Sequence, residues 1–472
     1  MINKKVTLGL IVGTRGFFNA ELSRQGRTQL IKQVENAGLD HVILPASETP
    51  TGAIETVEDA AKCAGLFADH RDEIDGIVVS LPNFGDELGV VNALRGARLN
   101  VPVLVQASDD NLDKVDVDNR RDSFCGKLSV CNNLYQYAIP FTDTTFHTCA
   151  IDSSVFANDL KSFAGVCRVT GGLRNARIGA IGARPGAFQT MRVSEKLLQK
   201  YGITVVPVDL SEIIFAALKL DDGAKAVVTK LAQVKEYGKI AKNTSDKNVV
   251  KATRLCVAIE DWVTRNKIAA AGVQCWTSVQ ENYGCATCLA MSMMGDELTP
   301  MACEVDVAGA ISMYALTLAT GSASALLDWN NNYGDDRNKC VNTHCSNYPR
   351  SFMGNPVEIG SLDILGKSLG PENCFGAIKG HVKQGPMTYF RISTDDTQGK
   401  IRAYLGQGRF TDDPCPMDGG IAVCSVGNLQ KLMKHLCRFG YEHHVGMVRG
   451  HCAAIIREAV DTYLRWDLYH HE

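Results

Sequence analysis

Short, almost uninterrupted apolar runs punctuate the first 165 residues: VTLGLIVG, HVILPA, GIVVSLP and VPVLVQA, set apart by helical periodicity around Thr28 to Ala37 and from Glu55 to Ala68. An apolar run without alternation is what a strand covered on both faces shows. Strand, helix and strand in succession imply right-handed crossovers and a parallel sheet. A second stretch of the same kind begins near Arg168. There ARIGAIGARPG reads as a strand entering a Gly/Pro turn, Phe188 to Tyr201 as a helix and GITVVPVDL as the next strand. The expected fold is therefore α/β, with two doubly wound, Rossmann-like parallel-sheet domains at 1-165 and 166-329. Beyond residue 330 the texture changes to turn-rich segments between FGAIKGHVKQ, MTYFRIST, KIRAYLGQGRF and GIAVCSV. Many short strands with turn signals predict an antiparallel β-barrel-like domain over 330-472, closed by a terminal helix from about Cys452 to Tyr469.

Composition narrows the function classes. With 49 basic against 52 acidic residues, a formal charge of −3, the chain lacks the positive footprint that a phosphate-backbone binder needs, so no nucleic-acid partner is expected. The first apolar run is too short for a secretory signal, and no stretch approaches the roughly 18 apolar residues that span a bilayer. A cytoplasmic location without membrane attachment is the expectation. Among 17 cysteines, Cys285 and Cys288 form a CATC pair with Cys275 upstream and Cys303 downstream, but no second close pair follows as a structural zinc site would require. Reduced, mostly buried thiols are expected.

The most informative stretch is MACEVDVAGAISMYALTLATGSASALLDW. Glu304 and Asp306 precede an apolar helical run from Ala308 to Thr320, whose dipole favours carboxylates at its N-terminal end. The strand SALLD then presents Asp328. Ends of strands and mouths of helices are where α/β folds keep their sites, and two carboxylates converging there repel unless a proton or cation lies between them. A hard divalent ion is one solution; the plainer alternative is that Glu304 caps its helix and Asp328 opens a turn. His344, His443 and His444 complete the candidate ligands. A strand through YEHHVGMVRGH sends His443 and His444 to opposite faces, so at most one points into a given site. Arg184 in the GARPG turn, Gln274 and Trp276 in VQCWTS, and Arg15 after the first strand are candidate ligand contacts. A turn arginine serves equally as a surface ion-pair partner, and a buried tryptophan as structure.

The order and spacing of these groups resemble the L-fucose and L-arabinose isomerases, the fucose isomerase-like ketol isomerases. A glutamate and a helix lead to a second carboxylate 24 residues on, then to a histidine 16 residues later and to a late histidine opening an HxxxVxGH run; here these are Glu304, Asp328, His344 and His444. Asp328 resembles the fucose-type ligand, and His344 a ligand of the arabinose type. GGLRNARIGAIGARPGAFQTMRVSEKLLQKYGITVVPVDLSEI resembles the opening of the family's second domain, and EHHVGMVRGH with LRWDLY its C-terminal segment. The resemblance implies a metal-dependent aldose-ketose isomerase working on a deoxy-sugar or pentose through a cis-enediol. It implies Mn2+, with Mg2+ or Co2+ as substitutes, held by Glu304, Asp328 and His444, while His344 is either a further ligand or a group that orients the substrate. Glu304 and Asp328 would carry the proton transfers. It further implies a homohexamer in which the first domain, Arg15 included, lends residues to a neighbouring subunit's site.

The chain departs from the family in being shorter, and its CATC, DDRNKC and FTDDPCPMDGG stretches match neither sugar's enzymes. One rival reading is an isomerase of the same fold for a modified sugar such as sulfoquinovose, with Arg184, Arg350 or Arg449 supplying a cationic pocket. Another is a non-catalytic sugar-binding protein, which leaves the carboxylates and His444 without a purpose. A glycosidase comes third, since those enzymes normally need no transition metal.

Overall fold

The computed structural model describes residues 4–354 and 356–472. The chain divides into two compact units: residues up to Gly171 together with Glu458–Arg465, and Gly172–Arg457 together with Trp466–Glu472. Most of the residues expected as second and third domains fall in the second unit, while 166–171 and Glu458–Arg465 fall in the first.

The first unit is built on strands β1 (Thr7–Val12), β2 (Asp40–Ile43), β3 (Gly76–Leu81), β4 (Val103–Ala107) and β5 (Thr142–Asp143). All pair in parallel in the order β2-β1-β3-β4-β5, the flavodoxin-like winding. The apolar runs of β1, β3 and β4 are buried along almost their whole length. Helix starts follow local capping. Asn19 accepts the amide of Glu21 and opens a helix at Ala20–Asn36, earlier than the periodicity near Thr28 suggests. Thr56 and Asp59 form a reciprocal capping box for Val57–Asp69.

The second unit carries β6 (Arg177–Ile181), β7 (Thr204–Val208), β8 (Lys239–Ile240), β9 (Ala270–Val273) and β10 (Met301–Cys303). Four of these pair in parallel as β10-β9-β6-β7. In chain order this repeats the winding of the first sheet with one strand fewer. The helix expected over Phe188 to Tyr201 is largely replaced by irregular chain. One tight turn spans Gln189–Met191, and the helix is only Glu195–Lys200, begun by Ser194 accepting the amide of Leu197.

The remaining strands are β11 (Ser324–Asp328), β12 (Asn331–Tyr333), β13 (Asp336–His344), β14 (Glu358–Ser361), β15 (Phe375–His381), β16 (Gly385–Asp395), β17 (Lys400–Thr411), β18 (Gly420–Ser425), β19 (His444–Arg449) and β20 (Asp467–His470). They form an extended sheet ordered β11-β19-β16-β17-β18-β15-β14-β8, with β13 also on β18 and β20 on β17. It is mixed, not antiparallel as expected. The β15–β18, β17–β20 and β14–β8 pairs are parallel because the chain crosses over between them. These pairings do not establish the expected barrel closure. The terminal helix also stops early: Ala453–Arg457 widens into a π-helical turn over Glu458–Leu464, and Arg465, at φ 55°, turns the chain into β20.

Within this unit the helix Val307–Thr320 is buried from Val307 to Ala319, touching β6, β9 and β10 of the parallel sheet and β11, β16 and β19 of the mixed one. A helix apolar all round is a core helix. Its burial carries the residues just before it into the interior.

Candidate active site

Three strand ends and one turn bring the chemistry together. β11 pairs antiparallel with β19 so that Asp328 stands directly across from His444. β13 delivers His344 at its last residue, and the turn after β10 delivers Glu304. His344, His444 and Glu304 are buried, at 6%, 0% and 4% exposure, which removes the water that would otherwise satisfy their polar atoms. His444 Nε2 lies 3.6 Å from Glu304 Oε2, 3.5 Å from Asp328 Oδ1 and 3.0 Å from His344 Nε2. His443 is exposed and stands just before β19, but its ring centroid lies 4.7 Å from that of His444 and one of its nitrogens falls within 4.8 Å of ligand atoms of His444 and Asp328, so the expected separation of the two histidines to opposite faces is not found.

The turn is held in an uncommon conformation. Glu304 and the β-branched Val305 have φ of 61° and 54°, a region that costs about 1–3 kcal/mol per non-glycine residue. Gly272 in β9 makes room for it: a Cβ there would lie 2.7 Å from the Val305 carbonyl carbon and 2.9 Å from the Asp306 amide nitrogen. The cap of the following helix is Asp306, not Glu304; Asp306 Oδ1 accepts the amide of Gly309 at 2.8 Å. The Glu304 side chain is thereby released from capping and turned towards the histidines.

Asp306 has a second task. Its Oδ2 lies 2.8 Å from His444 Nδ1, and both its oxygens pair with the fully buried guanidinium of Arg391, one contact being Nη2 to Oδ1 at 3.1 Å. Burial would raise the Asp306 carboxyl, but Arg391 and His444 outweigh it and hold it well below the ordinary carboxylate range. As a carboxylate it accepts a hydrogen bond from His444 Nδ1–H, which leaves the Nε2 lone pair facing Glu304, Asp328 and His344. His344 has the opposite tautomer. Its Nδ1 accepts the amide of Cys345 at 2.8 Å, so its proton sits on Nε2 and is donated towards His444 Nε2. Burial disfavours a second proton on His344; the Cys345 sulfur and the Asp328 and Glu304 carboxylates favour one and give a net upward shift. The Cys345 amide nonetheless occupies the nitrogen where that proton would go.

Glu304 Oε2 and Asp328 Oδ1 are buried with no hydrogen-bond partner among the described residues. Burial pushes the Glu304 carboxyl up to about 8, with the nearby Asp328 and Asp306 charges adding to it and His344 opposing. Two orphaned carboxylate oxygens and the His444 Nε2 lone pair, which His344 Nε2–H meets at 3.0 Å, converge on one point and fit a divalent cation that would take the place of that hydrogen bond. Glu304, His344 and His444 form one group able to hold an ion, and Asp328, His443 and His444 another.

The candidate sugar contacts are not gathered as closely. Gln274 Oε1 accepts the amide of Ala183 at 2.9 Å, and Arg184 spends Nη1 on the carbonyls of Pro185 and Phe188 in its own loop. Trp276 packs edge-on against Phe188, and its buried Nε1 has no partner among the described residues. Arg15 belongs to the first unit, where it pairs with Asp86 and Glu87 and stacks on Phe84. Of the arginines considered for an anionic sugar, Arg350 is engaged with Asp296 and the Glu236 carbonyl, and Arg449 Nη1 with the Ser351 carbonyl. Arg391 and Glu442, which sit behind Asp306, escaped the sequence reading. The available signal was an arginine at an inward position between Phe390 and Ile392 in β16, where a charge is seldom buried without a partner.

Comparison with known proteins gives the class of this α/β chain. Residues 9–174 match the family described as "Fucose/sulfoquinovose isomerase, N-terminal domain" and residues 342–471 the family described as "L-fucose isomerase, C-terminal domain". Sulfoquinovose isomerases of Priestia aryabhattai and Priestia megaterium are 26% identical over 335 residues, covering 70% of this chain and 72% of theirs. One from a Clostridium species is 26% identical over 284 residues, covering 59% of this chain and 61% of its own. The chain belongs to the fucose isomerase-like superfamily, and it is an aldose-ketose isomerase. Glu304 and Asp328 lie between the two matched segments, so their roles rest on geometry.

Proposed function

We propose that this chain is a metal-dependent isomerase that interconverts an aldose and its ketose through a cis-enediol, with Glu304, Asp328 and His444 holding the cation. The observation that carries this reading is the convergence of Glu304 Oε2 and Asp328 Oδ1, both without partners, on His444 Nε2 at 3.5–3.6 Å. A bound divalent ion would grip neighbouring sugar oxygens and stabilise the negative charge that develops as the C2 proton leaves. Oxygen-rich ligation with an imidazole suits Mn2+, with Mg2+ or Co2+ as substitutes. Glu304 and Asp328 share the proton work: one takes the proton from C2 and returns it at C1, the other passes the hydroxyl proton between O1 and O2. Asp306, backed by Arg391, keeps the His444 lone pair facing inward. The proton on His344 Nε2 makes it a donor to a sugar oxygen in place of a ligand. Gln274 and Trp276 remain the proposed walls of the sugar pocket, and Arg184 its rim.

The sulfoquinovose isomerase relatives favour a sulfonated aldose as substrate; the fucose-type aspartate at 328 favours a deoxy-sugar such as L-fucose, or a pentose. The three-part division at 165 and 329, a cytoplasmic location and a homohexamer whose first domain contributes Arg15 to a neighbour's site belong to the same proposal. Among the described residues no helix is long and apolar enough to cross a membrane. The test is an isomerisation screen of sulfoquinovose, L-fucose and L-arabinose with Mn2+ present or chelated, repeated on Glu304→Gln. Conversion should require the metal and fall by about 10²–10⁴-fold in the variant. Full metal-dependent activity in Glu304→Gln would remove Glu304 from the mechanism, and conversion of the sulfonated sugar alone would set aside the deoxy-sugar and pentose.

A further inference from the structure

Beside this site, three cysteines from distant parts of the sequence meet at sulfur. Cys275 follows β9, Cys303 ends β10 and Cys345 follows β13; β9 and β10 are adjacent, with Val273 paired to Cys303. The three Sγ atoms all lie within 4.8 Å of one another, and Cys303 Sγ is 3.3 Å from Cys345 Sγ. Cys275 and Cys303 are buried at 1% and 0% exposure, and Cys345 is partly buried. Cys288, also buried, adjoins the set and donates its thiol to the Cys345 carbonyl at 3.2 Å. Packing alone asks only that a buried cysteine be surrounded by apolar atoms. It gives no reason for three from β9, β10 and β13 to face each other.

Thiolates on one tetrahedral zinc ion, with bonds of about 2.3 Å, stand about 3.8 Å apart. The observed spacings, from 3.3 Å to within 4.8 Å, bracket that value. Among the described residues no other group able to hold a metal is made of sulfur alone. We propose that Cys275, Cys303 and Cys345 bind a thiophilic divalent cation of the zinc class, separate from the oxygen-and-imidazole site. Each thiol gives its proton to solvent as its metal–sulfur bond forms, while Cys288, whose sulfur is outside the group, keeps its hydrogen bond to the Cys345 carbonyl. The two sites select different ions through ligand softness: sulfur takes zinc, carboxylate and imidazole take manganese or magnesium. The placement also gives the ion a purpose. Cys303 immediately precedes Glu304 and Cys345 immediately follows His344, so one ion pins both segments and fixes the strained turn that aims Glu304.

The test uses the full chain, equilibrated with zinc and freed of excess by gel filtration, then examined by metal analysis and X-ray absorption. The expected result is about one tightly held zinc per chain with a sulfur shell at about 2.3 Å. Glu304→Gln should retain this zinc, whereas the double substitution Cys275→Ser, Cys345→Ser should lower it at least tenfold. If that variant fails to fold, the zinc shell of the unaltered chain decides alone. A zinc-free chain, zinc bound only by oxygen and nitrogen, or an intact mass lower by two hydrogens from a Cys303–Cys345 disulfide would each overturn the proposal. These readouts do not depend on isomerase activity, so failure here leaves the reaction untouched, and an inactive chain with sulfur-bound zinc would count against the reaction only.

Discussion

Asp306 fixes what His444 can do, although it stands behind the proposed ligands. Its carboxylate holds the His444 proton on Nδ1 and faces Arg391, a cation with no exposure at all. Asp306→Asn would remove the closer of that guanidinium's two charge partners and leave Glu442 at 3.4 Å, a loss of at most about 3–5 kcal/mol, the cost of breaking a buried pair. It would also cease to specify the His444 tautomer, which for a group behind a metal ligand costs about 10–100-fold in metal affinity. Urea unfolding and Mn2+ calorimetry on Asp306→Asn should show both losses; affinity unchanged in a folded variant would mean that His444 is not a ligand. Glu304 makes a separate pH prediction. Its carboxyl is pushed by burial to about 8, against about 4.3 in an unfolded chain. Between those values the folded, metal-free chain binds more protons than the unfolded one, so this group's contribution to stability declines as pH rises from about 4 to about 8 and levels off above. A cation competes with the same proton, so Mn2+ affinity should climb by up to about tenfold per pH unit towards pH 8. Calorimetry at three pH values checks this: a slope undiminished in Glu304→Gln would assign the proton to another group.

Which elements could be read in advance follows from where their information lies. β1, β3 and β4 were visible because a strand buried on both faces writes its burial into consecutive residues, and β11 because SALLD runs directly into Asp328. The winding of both parallel sheets follows from crossovers short enough to constrain one another. The mixed sheet was less legible. Its parallel pairs, such as β17 with β20, join segments at least forty residues apart whose local pattern does not specify a partner. The terminal helix was misread for a local reason, since the apolar spacing of Ala453 to Leu464 continues through a π-helical turn that periodicity does not distinguish. In the site, Glu304, Asp328 and His444 stood out through order and spacing. The relation between Asp306 and His444, the tautomer of His344 and the meeting of Cys275, Cys303 and Cys345 depend on strand register, which places residues together without leaving a mark in adjacent sequence.

At the scale of the whole chain, every proposed metal ligand, together with Asp306 and Arg391 behind them, belongs to the second unit. Cation binding draws β11, β19 and the turn after β10 into one ligand set, so its free energy should appear as slower opening of those elements. At a hundred times its dissociation constant an ion stabilises the state that binds it by about 2.7 kcal/mol, close to a hundredfold in the exchange of amides released by opening of that unit. The sheet formed by β1–β5 contributes no ligand among those proposed. Hydrogen exchange of the full chain with and without Mn2+ should therefore show added protection in Ser324–Asp328, His444–Arg449 and Val307–Thr320, with Thr7–Val12 and Gly76–Leu81 unchanged. Equal protection of both units would require the first sheet to sense the ion. That outcome would place a ligand, or the transmission of its effect, outside the second unit and so refute the ligand set as complete.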